Sequence, residues 1–289
     1  MSINRKTGFT LVELLTVVGI IAILIALLLP ALNKVKTLSF DTKQRGQINA
    51  IEIAIETYRN DFGMYPASGN VDAADDTPKD SMGVPYYGTE KLAEALMGHD
   101  LLGVHKDVPT NFYKFGIIYD QTATNLSNRK GPYLETEKLN PVESGSTEDI
   151  FNLVDGGHYI SDVYRRDDLS VGLPLLYYKA DTNNKIQTGT AVASIADKIY
   201  DFRDSNMPYA GTVSGDAEAN YIQGRSNIWD TTDGTTAEDN FDDSVINYDI
   251  SPTAGVYTIP YRAQTYLLIS AGNDGIYGTE DDICNFEKN

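Results

Sequence analysis

The sequence predicts an α+β chain: a long N-terminal helix packed on a small antiparallel β-sheet, with long loops. Three features predict it. An apolar run from Leu11 to Leu29 carries a single charge, Glu13. A helical pattern continues from Ala31 to Asp61, where Leu32, Val35, Leu38, Ile48, Ile51, Ile55 and Tyr58 recur at helical spacing between charged residues. Two short apolar and aromatic stretches, Leu173 to Ala180 and Tyr261 to Ile269, read as core strands.

The first run has the length of a membrane span, about 20 residues or roughly 30 Å of helix. Arg5 and Lys6 precede it, which predicts a cytoplasmic N-terminus and places the chain after Pro30 on the far side. An ordinary secretory signal has a shorter apolar core and a small-residue cleavage site, whereas here another helical stretch follows Leu29. A lipoprotein signal needs a cysteine at the cleavage point, and none is there. A plain signal anchor leaves Glu13 unexplained, because an unpaired carboxylate in hydrocarbon is expensive. The full helix, from about Phe9 to Asn60, is roughly 75 Å long at 1.5 Å per residue. Pro30 removes one backbone hydrogen bond and predicts a local kink or unwinding. Gly63 to Pro66 ends the helix.

Lys6 to Leu15, K-T-G-F-T-L-V-E-L-L, resembles the class III signal of type IV pilins and pseudopilins. The resemblance implies a prepilin peptidase that cuts after Gly8 and methylates the new amine of Phe9, with Glu13 as the assembly carboxylate. The amine of one subunit would then pair with Glu13 of its neighbour, neutralising both charges and fixing the axial register. Pro30 stands where these proteins often carry a helix-weakening proline. Tyr58 to Pro66, Y-R-N-D-F-G-M-Y-P, and Gly131 to Leu134 are similar to segments of the G-type, major pseudopilin of type II secretion systems. Asp168 to Pro174 lacks the Trp of the D-P-W-G-x-P turn that precedes the corresponding strand.

The resemblance therefore implies a pilin fold with a leader over residues 1–8, a helix over 9–62 (9–30 in the membrane) and a globular domain over 63–289. The last carries an insertion at about 181–260 and a calcium loop at 270–283. Implied partners are further copies in a helical filament, the prepilin peptidase, an assembly platform protein with its ATPase, minor pseudopilins and the inner membrane. The globular domain is expected in the periplasm.

Between these landmarks the chain is rich in loops. Val71 to Asp80 is acidic and holds a Pro, whereas Glu90 to Leu102 reads as a short second helix. The insertion is dominated by Asn, Asp, Thr and Gly, holds the only tryptophan, Trp229, and shares the general abundance of Tyr. Such loops cap a small β core or form sugar- or protein-binding surfaces.

Ser270 to Ile283, S-A-G-N-D-G-I-Y-G-T-E-D-D-I, follows the last strand. Gly275 and Gly278 allow a tight turn that brings Asp274 back toward Asp281 and Asp282. Carboxylates gathered this way repel unless a cation sits among them, and hard oxygen donors suit Ca²⁺. The spacing is not that of an EF-hand. The stretch resembles the calcium loop of G-type pseudopilins. By that likeness Asp274, Asp281 and Asp282 supply side-chain oxygens, Ala271 and Thr279 are candidates for backbone carbonyls, and Glu280 points elsewhere. Asp230 to Asp243 has a similar acidic composition and reads as a charged loop, with a second calcium site as the alternative.

The net charge of −18 argues against nucleic acid, which needs concentrated Lys and Arg. The lone Cys284 permits no internal disulfide, and His99, His105 and His158 show no zinc spacing. No nucleophile–base pair, P-loop or H-E-x-x-H is present, so the mature chain is expected not to be an enzyme. The expected role is a structural subunit of a secretion pseudopilus. Three alternatives stand beside it: a surface type IV pilus subunit, a family in which many members close the C-terminal region with a disulfide; a membrane-tethered binding module using the Tyr-rich insertion; and a tethered hydrolase using a carboxylate pair.

Overall fold

The computed structural model describes residues 10–69, 86–107, 119–143, 157–164, 171–188, 197–205, 237–251 and 257–287. The acidic stretch 71–80, Trp229 and residues 230–236 lie outside them. The chain divides into two units, Met1–Thr42 and Lys43–Asn289. Helix α1, Leu11–Phe62, begins in the first and ends in the second.

In the first unit every side chain from Leu11 to Leu29 is exposed, Leu11 to 80% and Leu27 to 71%. A helix that is apolar all round needs lipid or other helices to cover it. By length and composition it is able to cross a membrane. The helical run continues through Pro30, because one missing N–H bond is not enough to end it.

In the second unit α1 becomes one-sided. Gln44, Gln47, Ile48, Ile51, Ala54, Ile55 and Tyr58 are buried, whereas Ile53 on another face is 70% exposed. Spacing by threes and fours puts the buried set on one stripe. Its two glutamines hold loop backbone: Gln47 Nε2 donates to the carbonyls of Leu139 (3.2 Å) and Ser161 (3.0 Å), and Gln44 Oε1 accepts from Val163 N (2.8 Å). Gly63, at φ +78°, ends the helix by donating to Arg59 O at 2.7 Å.

The second helix, α2, spans Gly88–Met97 and is buried along its whole length. It stops short of Leu102 because Gly98 turns at φ +84° so close to Gly103 that a Cβ would stand 2.0 Å from its carbonyl oxygen. Short elements follow: β1 (Val104–His105), α3 (Ala123–Ser127), β2 (Arg129–Lys130), α4 (Thr136–Leu139), β3 (Pro141–Glu143) and β4 (His158–Ile160). They form the antiparallel pairs β1–β2 and β3–β4.

The central sheet is antiparallel, in the order β5 (Leu176–Lys179), β6 (Tyr266–Ser270), β7 (Ile283–Cys284). Leu176 faces Ile269 and Lys179 faces Tyr266. All five residues of β6 are buried, so both faces of the sheet are covered. On one face Leu176, Tyr178, Leu267 and Ile269 enter the main core cluster. The alternate residues Tyr177 and Tyr266 meet the segment after α1: Tyr177 Oη donates to Pro66 O (2.7 Å), and the Tyr266 ring lies 5.1 Å from Tyr65. Arg262 and Asn285 tie the C-terminal strands to Glu52 of α1, at 3.0 and 3.3 Å. The strand expected from Tyr261 starts only at Tyr266, because Arg262 adopts φ +49° in a turn.

The α+β fold class is thus observed, and the described parts of the stretch 181–260 add to its core. Helix α5, Ala237–Val245, begins inside the segment that reads as a charged loop and runs two residues past it. Phe241 and Val245 of α5 join Ile199 and Tyr200 in the main cluster, and Phe241 lies 4.8 Å from Tyr178. Asp242 is buried, ion-paired with Lys198, and accepts from Gln187 Nε2 at 2.7 Å. Its carboxylate is therefore committed within the protein.

Candidate assembly and cation sites

The processing residues Gly8 and Phe9 lie outside the described residues, whereas Glu13 is described in the first turn of α1. Thr10 caps that turn. Its backbone N–H and its hydroxyl both donate to Glu13 Oε2, at 2.9 and 2.7 Å, and Glu13 N donates back to Thr10 Oγ1 at 3.2 Å. This is a reciprocal capping box, written in the sequence as T-L-V-E. The reading of Glu13 as a carboxylate awaiting a partner overlooked it, although the T-x-x-E signal is present. Within one chain the carboxylate already has two donors and remains on an exposed helix surface. A cationic amine from another copy would add an ion pair to a carboxylate that, within one chain, has only uncharged donors.

The C-terminal loop leaves β6 at Ala271 and returns through β7 at Ile283. Two backbone features make it tight. Gly272 adopts φ +61°, and a Cβ there would stand 2.3 Å from Asp281 O and 2.8 Å from Asp281 Oδ2. Gly275 N donates to Ala271 O at 3.2 Å, closing a turn. The loop ends meet as a result: Asp274 N donates to Asp281 Oδ2 at 2.9 Å, and Thr279 Oγ1 donates to Asp281 Oδ1 at 2.6 Å.

Partial burial raises the pKa of Asp274, and the neighbouring Asp281 carboxylate adds to the rise, against the Ile276 N–H that lowers it. Asp282 turns the other way, accepting from Gly278 N at 2.8 Å through Oδ2. Asp274 and Asp281 therefore converge, whereas Asp282 holds the second half of the loop. Among the described residues no three His, Cys, Asp or Glu side chains are grouped to hold a metal ion. The Ala271 carbonyl accepts from Gly275 N and the Thr279 carbonyl from Asp282 N at 3.4 Å, while Glu280 is exposed. As a donor set the loop suits a hard cation in chemistry, with oxygen ligands only. Gathering all three carboxylates around an ion would require Asp282 to turn from Gly278.

No curated protein and no solved structure matches the chain. Residues 3–29 match the prokaryotic N-terminal methylation motif. That motif implies processing by a prepilin peptidase and assembly into a filament, and with the exposed apolar helix it suggests single-pass membrane anchoring. It points to a structural subunit and indicates a type IV pilin-like or pseudopilin-like protein.

Proposed function

We propose that this chain is a G-type-like pseudopilin of a type II secretion system, held in the inner membrane with its globular unit in the periplasm. It is cleaved after Gly8, N-methylated on Phe9 and assembled into a short filament that supports protein export. The methylation motif at residues 3–29 carries the reading, on an apolar helix whose single acid stands five residues after the cleavage point. Deleting the gene and comparing culture-supernatant proteins with surface fibres in the same cells tests it. Loss of exported proteins with fibres intact supports the pseudopilus; loss of fibres with secretion intact would make the chain a surface pilus subunit instead.

The loop at 270–283 acts in this reading as a structural Ca²⁺ site with Asp274, Asp281 and Asp282 as ligands. The convergence of Asp274 and Asp281 supports it, together with the absence of any intramolecular disulfide to staple the C-terminal strands. Binding that favours the folded state raises its melting temperature. Chelation with EDTA should therefore lower the Tm of the full chain in detergent micelles, and added Ca²⁺ should restore it. An unchanged melt would remove calcium from the account.

A further inference from the structure

We propose that Ser68 and Asp204 form a protonation-controlled latch that fastens the segment after α1 over the open edge of β5. Among the described residues β5 has a strand on one side only, β6. Its other edge is closed by side chains. Ser68 Oγ accepts from Lys179 N at 2.8 Å and donates to Asp204 Oδ2 at 2.6 Å. Ser205 Oγ, next in the same 3-10 turn (Phe202–Ser205), donates to Tyr177 O at 2.6 Å and accepts from Tyr177 N at 3.3 Å. Two hydroxyls thus satisfy backbone groups that a neighbouring strand would otherwise take, and the Asp204 carboxyl holds the first of them in place.

The fit around Asp204 is close. A Cβ on Gly69 would stand 2.5 Å from Asp204 Oδ1, so a larger residue there would press on the carboxyl. A cleft of about 580 Å³, lined in part by Ser68, Gly69, Lys179 and Asp204, lies beside it. The nearby cations have other partners. Arg203 is engaged by Asp201 at 2.6 Å, and Lys91 Nζ of α2 donates to Ser68 O at 3.2 Å. Tyr178 on β5 also faces it, and Arg59 and Lys198 line the same cleft. Burial pushes Asp204 up to about 7, with Asp201 adding to the rise and Ser68, Lys91 and Arg203 opposing it.

The protonated carboxyl is the form that the closed latch prefers. An opened segment returns Asp204 to the ordinary carboxylate range near 4, so opening becomes easier as pH rises from about 4 toward 7 and then levels off. Each pH unit inside that window corresponds to about a tenfold change in the opening equilibrium.

Hydrogen exchange on the full chain in detergent micelles tests this at the amide of Lys179, whose acceptor is Ser68, across pH 5 to 8.5 and corrected for the intrinsic exchange rate. Its opening should rise about tenfold per unit up to about pH 7 and flatten above it. Asp204→Asn keeps the shape without the titration and should give a flat profile. A flat wild-type profile, or the same slope in Asp204→Asn, overturns the latch. Should that variant not fold, Ser68→Ala decides. Losing the Ser68 donor raises the carboxyl further and should extend the rise to higher pH, whereas a curve superimposed on wild type overturns the proposal.

Discussion

Thr10 and Glu13 show what the carboxylate does in a single chain, against which its proposed part in assembly is tested. In a single chain Glu13 closes the first turn of α1 through the backbone and hydroxyl of Thr10. N-caps of this kind contribute about 1 kcal/mol to a helix. Thr10→Ala removes the cap and leaves the acid in place, so the filament yield by sedimentation should fall by less than in Glu13→Gln. Thr10→Ser should restore it. Equal loss in the two single variants would show that Glu13 acts through the cap alone. At the other end of the chain Gly272 is set by backbone, since its φ of +61° and the 2.3 Å approach to Asp281 O exclude any side chain. Gly272→Ala should cost more than about 1 kcal/mol. In thermal melts of the full chain this should lower Tm by about 2–4 °C per kcal/mol.

At the scale of elements, α5 shows that described parts of the 181–260 stretch enter the core rather than decorate it. Lys198 and Asp242 form an ion pair with side chains 8% and 3% exposed, and it joins two pieces of that stretch. Removing one partner of a buried pair typically costs about 3–5 kcal/mol, because a charge is left without its counterpart. Lys198→Met should therefore lower the unfolding temperature strongly, and Lys198→Met with Asp242→Leu should recover much of the loss. Additive losses in that cycle would mean that the two charges act independently. Helix α1 was legible because its periodicity runs for many turns and Gly63 stops it. The strand at Leu176–Lys179 was legible from its apolar run between turn residues. Helix α5 was not, since Ala237–Val245 offers only Phe241 and Val245 as large apolar residues among four acids. The late start of β6 was hidden for a related reason: nothing in Y-R-A-Q-T announces the positive φ of Arg262, whose guanidinium is drawn to Glu52 from far along the chain. In the same way the acids near Asp274 are visible as a string, whereas the turn of Asp282 toward Gly278 depends on loop geometry that a string does not carry.

For the molecule as a whole, the balance between insertion and assembly rests on α1. Leu11 to Leu29 contains fourteen Leu, Ile and Val residues and one acid. On insertion scales those apolar residues are together worth about −4 to −8 kcal/mol at about −0.3 to −0.6 each, against about +2.5 to +3.5 for an acidic residue at a helix centre. Glu13 lies near the end of the run, where its cost is lower, so the span inserts with the carboxylate in place. It follows that Glu13 is not needed for anchoring, and its removal should make insertion easier still. Glu13→Leu should stay in the membrane pellet through an alkaline carbonate wash and should still be cleaved after Gly8, as read by intact mass. Sedimentable filament should disappear in the same cells, because the proposed register-setting pair with a neighbour's amine would have no acid left. A variant that assembles normally would mean that apolar packing along α1 is enough to order the subunits. A variant that fails to insert would mean that the first turn of α1, with its Thr10 cap, is part of what the membrane machinery recognises.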